Sequence, residues 1–484
     1  MSAILATAEA TKNYADRMWA ENPRISPDSW RIMEGLTVAK VATGTYRMDG
    51  REAQPQALEK ALTSGLNLID TSANYMDGGA EVFIGQTLAK LFAAGALARE
   101  EVVVVSKAGY MQGKTLEQWR QNPPPEAVKC AEHMWHCVHP DFLHQQFEAS
   151  LKRLGLDGLD VYLLHNPEYF LADEASKDTA VEDAQEEFYA RLQKAFTYLE
   201  TLCQQGRLGC YGVSSNTFVS PSDAPDFVDL ARVFQAAQTA AKEAWGRRKR
   251  PMLRVVQMPY NLLETAAVTR ANTQAKTFEG GEQVSALELA TRMRLGVLIN
   301  RPLNAFSHEG RPYRLAEGAK EPDMASLIKE LEAAEAALPE NDDLPRLSRM
   351  AEGLAAQMEN SLHFDHLKTT ALTPLLIQTL TQADISQTEK KEFIQAYGAV
   401  VAALRQTARA KDAQANQKLK EAIYKRLPES ARQAPFQQVA INTIASTPGV
   451  TSVLCGLRQP GYVNDALKVL EEGDIADIGQ IMAA

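Results

Sequence analysis

Three apolar runs in the first third of the chain each end in an ionisable residue. LNLID ends in Asp70, VVVVSK in Lys107 and VYLLH in His165, and Tyr75 follows Asp70 in the loop SANY. An acid, a phenol, an amine and an imidazole together suit proton delivery to an oxygen. A tyrosine of ordinary pKa, about 10, is a poor acid at neutral pH, and a lysine ammonium beside it is expected to lower that value. Asp70 would hold Lys107 in place, and His165 would hydrogen-bond a carbonyl oxygen. Singly, each residue has a plainer explanation. Asp70 is an ordinary turn or cap residue, His165 a core histidine, Lys107 a solvated cation and Tyr75 a packing residue. Their shared place at successive strand ends argues for one site.

Such residues meet only if their strands lie side by side and run parallel. Short aliphatic runs predict strands near residues 38–44, 66–71, 102–106, 161–165, 211–214, 255–258, 296–300 and 453–456. Apolar residues spaced three and four apart predict helices near 57–62, 80–91, 141–154, 188–205, 227–241, 285–293, 436–447 and 463–470. Eight strands alternating with eight helices predict an α/β fold, a (β/α)8 TIM barrel whose strand C-termini converge on one catalytic face. A large all-helical insertion is expected between strand 7 and the helix before strand 8. It is rich in Ala, Leu, Glu, Lys and Gln, good helix formers, and reads as three to five helices. The expected organisation is an N-terminal extension over 1–35, the barrel over 36–305 and 435–484, and the insertion over 306–434. Three roles are open to the insertion: covering the barrel's flank, forming a lid over the substrate, or docking a protein partner.

Composition narrows the function classes. The chain has 484 residues, 45% hydrophobic and 23% charged, as expected of a folded protein with a sizeable core. Its 61 acids against 51 bases leave no chain-wide basic footprint for nucleic acid. No apolar run is long enough for a membrane span, and Glu9 and Asp16 interrupt the first twenty residues, so no secretory signal is expected. Five cysteines without a CxxC suggest a reducing compartment, the cytoplasm. The stretch CAEHMWHCVHPDFLH places Cys130, His133, His136, Cys137, His139 and His144 close together. Their spacing follows no zinc-site pattern, so no metal is expected. A wall of the substrate pocket with Trp135 as its aromatic panel, or a surface loop, are the remaining readings. The basic run WGRRKR at 245–250 reads as a solvated helix end.

Longer segments carry a family resemblance. ALEKALTSGLNLIDTSANYMDGGAEVFIGQTL resembles the DTAxxYGxxExxxG region of the aldo-keto reductases, and SLKRLGLDGLDVYLLHNPE resembles their SLxRLxxDxxDLYxxH signature. YGVSSNTF and VVQMPYNLL resemble the GVSN and QxxYN strands. The resemblance covers about residues 35–303 and 439–467. It implies an oxidoreductase that reduces an aldehyde or ketone, or oxidises the alcohol, with NADPH or alternatively NADH, on a barrel without metal. The family's tetrad falls on Asp70, Tyr75, Lys107 and His165. Ser215, Asn216 and Gln257 match residues that hold the nicotinamide carboxamide, and Gly44 and Thr45 match the loop after strand 1. Arg301 and Leu303 belong to the strand-7 motif NRPL, which stands where the family reads close to YSPL. VLCGLRQPGYVNDAL resembles the nucleotide-binding GxRxPxxVxEN. There Arg458 takes the position that can pair with a 2′-phosphate, and Asp465 replaces the usual Glu. Ala466 replaces an Asn, and Asn300 stands where an aromatic often stacks on nicotinamide. These departures leave room for a rival reading, a cofactor-binding sensor or assembly subunit whose insertion docks a protein partner.

Overall fold

The computed structural model describes residues 3–482 except 52, 247–249, 276–281, 307–309, 311, 318–321, 339–344, 384 and 477. The basic run at 245–250 falls mostly on 247–249, outside the described residues. The chain divides into two compact units, Met1–Pro302 with Ile441–Gly479, and Leu303–Ala440 with Gln480–Ala484.

The first unit is a closed barrel of eight parallel strands in chain order. They are β1 (Val41–Gly44), β2 (Leu68–Asp70), β3 (Val103–Ala108), β4 (Leu159–His165), β5 (Leu208–Ser214), β6 (Leu253–Pro259), β7 (Gly296–Asn300) and β8 (Ser452–Gly456). The ring closes where Val41 of β1 faces Val453 of β8. VVVSKA, LDVYLLH and LRVVQMP are buried along their whole length, as strands between a filled interior and a ring of helices must be. Leu68, Val105, Leu163, Val255 and Leu298 pack in that interior.

The expected first strand is split. Only Val41–Gly44 joins the barrel, whereas Leu36–Ala39 pairs antiparallel with Trp30–Met33. Met33 of this hairpin packs into the interior cluster, and a Cβ at Gly296, the first residue of β7, would sit 2.6 Å from Met33 Cγ. The hairpin therefore plugs the N-terminal mouth of the barrel. Lys40 lies at the break, fully buried, with Nζ 3.0 Å from Asn442 Oδ1 and 2.8 Å from the Glu472 carbonyl oxygen.

The helices that alternate with these strands are α1 (Gln54–Thr63), α2 (Gly79–Ala93), α3 (Pro140–Leu154), α4 (Val181–Gln204), α5 (Leu230–Trp245), α6 (Ala286–Arg292), α7 (Phe436–Ala445) and α8 (Pro460–Glu471). Local chemistry sets their ends. α3 starts with Pro140 behind a His139 cap and stops at Gly155, whose φ of 65° suits glycine. α4 begins two turns before its expected start, because its first turns are acidic and solvated and carry little apolar signal. Among the described residues, no helix is long and apolar enough to cross a membrane.

Gly212 on β5 marks a tight point. The register between β5 and β6 shifts at Tyr211/Gly212, and a Cβ at Gly212 would collide with the Val255 carbonyl oxygen, a backbone atom that cannot step aside. Gly212→Ala is expected to cost about 1–3 kcal/mol or more in denaturant unfolding. Gly461→Ala, where a Cβ meets nothing within 4 Å, should be close to neutral. Equal stability of the two variants would contradict this account of β5.

A three-stranded antiparallel sheet follows β3, built from Tyr110–Met111, Val128–Ala131 and Met134–His136. It packs Trp135 with Met111, Leu116, Cys137 and Phe142 as a core of its own. Trp135 is therefore a structural residue and not the open aromatic panel expected of it.

The second unit has a separate core in which Leu331, Phe364, Phe393, Tyr397, Val400 and Leu404 meet. Its spine is a 40-residue helix, Gln387–Arg426, opened by a capping box of Ser386 and Glu389. Met324–Glu335, Leu347–Gln357, Ser361–Leu367 and Thr373–Gln382 are its other α-helices among the described residues. The unit is helical but opens on a β-hairpin, Asn304–Phe306 with Pro312–Arg314. Three-residue strands leave no periodic signal, which is why sequence pattern alone suggests helices throughout.

Candidate active site

Barrel register brings the strand ends to one rim. Gly44 pairs with Asp70, Asp70 with Val105, Lys107 with Leu163, and Ser214 with both His165 and Gln257. Lys107 has no exposed surface and Asp70 only 4%. Lys107 Nζ lies 2.7 Å from Asp70 Oδ1, 2.7 Å from the Thr71 carbonyl oxygen and 3.4 Å from Tyr75 Oη. Burial works against the ammonium charge, but Asp70 and Tyr75 hold the lysine pKa above its ordinary value.

Asp70 is secured from the other side. Gln257 Nε2 donates to its Oδ2 at 2.8 Å, Ser214 Oγ donates to Gln257 Oε1 at 3.0 Å, and Thr45 Oγ1 donates to the Asp70 carbonyl at 3.0 Å. A carboxylate with both oxygens engaged keeps a fixed orientation.

Tyr75 opens a short turn, Tyr75–Gly78, in which Met76 and Asp77 take φ of 52° and 55°. Two successive side-chain-bearing residues in the left-handed region cost roughly 1–2 kcal/mol each. Strain of this kind persists where surrounding contacts fix a functional geometry. The Tyr75 ring sits edge-on to Tyr46 at 5.3 Å and to His165 at 5.9 Å. Sequence reasoning anticipates a lowered phenol pKa, and the structure reverses the sign. Burial raises it, and Lys107 offsets only part of that rise.

His165 is neutral: burial first, then Lys107, drives its pKa well down. Ser72 Oγ lies 3.0 Å from Nδ1. His136 Nε2 reaches the His165 carbonyl oxygen at 2.7 Å, and burial holds His136 at about 4. His136 stands out in the sequence only within a histidine-rich stretch, and here it braces the strand end from behind. Among the described residues, no group of His, Cys, Asp and Glu side chains has a metal-holding arrangement. Sequence pattern gives no sign of Ser72 or of Glu168, although both lie within three residues of a tetrad member.

The remaining candidates divide by location. Ser215 is fully buried beside Gln257, its amide donating to the Gln257 carbonyl at 3.0 Å, while Asn216 is exposed. Gly44 faces Gly456 across β1 and β8, so Arg458, in the loop leaving β8, shares that rim. Arg458 and Asp465, the latter in the second turn of α8, are both half-buried. Arg301 is engaged in an ion pair with Glu264, Nη2 to Oε1 at 3.1 Å. Leu303 begins the second unit, where its carbonyl accepts from the Leu315 amide at 3.0 Å.

The family profile described as Aldo/keto reductase family matches residues 39–287, half of the chain and six of the eight strands. The chain belongs to the aldo/keto reductase family. Individual relatives are distant. The NADH-specific methylglyoxal reductase of Escherichia coli is 29% identical over 139 residues, which are 27% of this chain and 39% of that protein. The aldo-keto reductase AKR2E4 of Bombyx mori is 31% identical over 143 residues, 28% of this chain and 37% of that protein. The chain thus spans well under half the length of these two relatives. Methylglyoxal reductase YeaE of E. coli is 27% identical over 277 residues, 56% of this chain and 72% of that protein. Among solved structures, the glycerol dehydrogenase AKR11B4 from Gluconobacter oxydans is 16% identical with a TM-score of 0.46 over 95% of both chains. Two of the positions that depart from the resembled motifs are placed as follows. Ala466 is fully buried in α8, and Asn300 ends β7 half-buried, its Oδ1 without a hydrogen-bond partner among the described residues.

Proposed function

We propose that the protein is an NADPH-dependent reductase of aldehydes or ketones, with NADH as the alternative cofactor and Tyr75 as the proton donor. The observation that carries this reading is the buried Lys107–Asp70 pair with Tyr75 Oη 3.4 Å from the ammonium. The rim residues fit a nicotinamide dinucleotide. Ser215, Asn216 and Gln257 would hold the carboxamide, joined by Gly44 and Thr45 beside Asp70, and the Asn300 oxygen lacks a donor that a carboxamide NH₂ would provide. Arg458 and Asp465 would take the adenosine end, a guanidinium being well suited to a 2′-phosphate. Arg301 would flank the ring from the β7 side.

When bound, reduced nicotinamide supplies a hydride to the carbonyl carbon. Tyr75 delivers the proton to the carbonyl oxygen, and its raised pKa keeps the phenol protonated at neutral pH. Lys107 stabilises the phenolate left behind, and Asp70 keeps the ammonium charged and aimed. Ser72 Oγ, 3.0 Å from Nδ1, fixes the His165 ring beside Tyr75, where the imidazole would help orient the substrate oxygen. Tyr46, 60% exposed against the Tyr75 ring, would form one wall for the substrate.

The named activities of the E. coli relatives make a small dicarbonyl such as methylglyoxal the first substrate to try. The pure sensor reading has less support. A fully buried lysine–carboxylate pair carries a desolvation cost that a protein with no proton to move has little reason to keep. The test is a panel of aldehydes, ketones and dicarbonyls with NADPH and NADH, followed by absorbance at the dinucleotide's reduced band. Turnover with at least one carbonyl, faster with NADPH, is expected. No turnover across the panel would overturn the proposal.

A further inference from the structure

Three residues past His165, Glu168 is a carboxyl with 6% exposure that the tetrad does not use. Its Oε1 accepts two hydrogen bonds, from Asn166 Nδ2 at 2.7 Å and from the Asn216 backbone N–H at 2.9 Å. Asn216 belongs to the loop leaving β5, so one carboxylate oxygen ties the rim after β4 to the rim after β5. Asn166 is itself constrained. Its φ is 53°, its amide donates to the Ser214 carbonyl at 2.7 Å, and its Oδ1 accepts from Tyr110 Oη at 3.2 Å. Tyr110 in turn stacks edge-on against His165 at 4.7 Å. The left-handed backbone turns Asn166 back along the rim, and an asparagine tolerates that conformation better than most residues.

We propose that Glu168 is a positioning residue for the nicotinamide carboxamide site, fixing the backbone of Asn216 and, through Asn166 and Tyr110, bracing His165. This inference rests on the reductase reading, because it needs a dinucleotide at Ser215 and Asn216. Its basis is geometric. Asn216 is exposed and follows Ser215, whose amide makes the last bond of this segment to β6 among the described residues, so the anchoring of the Asn216 amide falls to the Glu168 oxygen. A buried carboxyl accepting from two donors is costly to place, and burial indeed pushes it above the ordinary carboxylate range. An acceptor held there at that cost needs a function at the rim.

The test uses the full chain and reads dinucleotide binding directly, by quenching of tryptophan fluorescence, beside steady-state kinetics. Glu168→Ala should weaken NADPH binding about ten-fold or more, the loss expected when the acceptor of the part-buried Asn216 amide is removed. Carbonyl KM should change far less. Glu168→Gln keeps an amide oxygen for both donors and should bind within about three-fold of the parent. Should the alanine variant not fold, Glu168→Asp withdraws the carboxyl from the Asn216 amide by one methylene and should show the same loss. Parent-like binding in Glu168→Ala or Glu168→Asp would overturn the inference alone, as would a glutamine variant as weak as the alanine one. A parent protein that binds neither NADPH nor NADH would overturn this inference and the reductase reading together.

Discussion

Tyr75→Phe is expected to cut carbonyl reduction by roughly 10²–10⁴-fold, the usual range for loss of a positioned general acid. Its Kd for the dinucleotide should stay near the parent value. The change removes one oxygen from a ring whose edge contacts to Tyr46 and His165 remain, so packing is preserved. The parent should add a pH signature. Burial raises the phenol pKa, so Tyr75 stays protonated through neutral pH, and reduction should fall only as pH climbs beyond about 10. Alcohol oxidation, which needs the phenolate, should rise over the same interval. Full activity in the phenylalanine variant would remove Tyr75 from the mechanism.

Lys107→Met should lose both activity and stability. Without the ammonium, Asp70 is left as a buried carboxylate with Gln257 Nε2 as its remaining side-chain donor, a break costing about 3–5 kcal/mol. Reduction should drop by at least about 100-fold, because the phenolate loses its counter-charge. The double variant Lys107→Met/Asp70→Asn separates the two effects. With both charges gone, most of the lost stability should return, while activity should not. Chemical denaturation and turnover on the three proteins decide the matter. A single variant as stable as the parent would show that the pair does not carry the electrostatic load assigned to it.

The barrel is legible in the sequence because its strands are buried on both faces, and runs such as VVVVS and VYLLH have no polar interruption until the strand ends. The same property points to Asp70, Lys107 and His165, since an ionisable residue closing an apolar run is easy to see. What escapes is long-range pairing. Leu36–Ala39 and Val41–Gly44 are separated only by Lys40, and the partner strand Trp30–Met33 shows that this stretch serves two sheets. Glu168 and Ser72 are common polar types in loops, and their roles arise from contacts to Asn216 and His165 that no local spacing encodes. The sign of the Tyr75 shift needs the balance of burial against the lysine charge, and burial is a property of the folded molecule.

The pairing of Val41 with Val453 also has a consequence for the order of events during synthesis. Seven strands and the whole of the 303–440 unit leave the ribosome before the strand that closes the ring. Until then β1 and β7 are open edges, each with unpaired backbone groups able to recruit a stray strand. A long slack connection would prolong that exposure, because bringing the ends of a longer loop together costs more entropy. A connection that folds on its own core shortens the effective loop before β8 arrives. The inserted unit thus stands, in time, between an open sheet and a finished barrel.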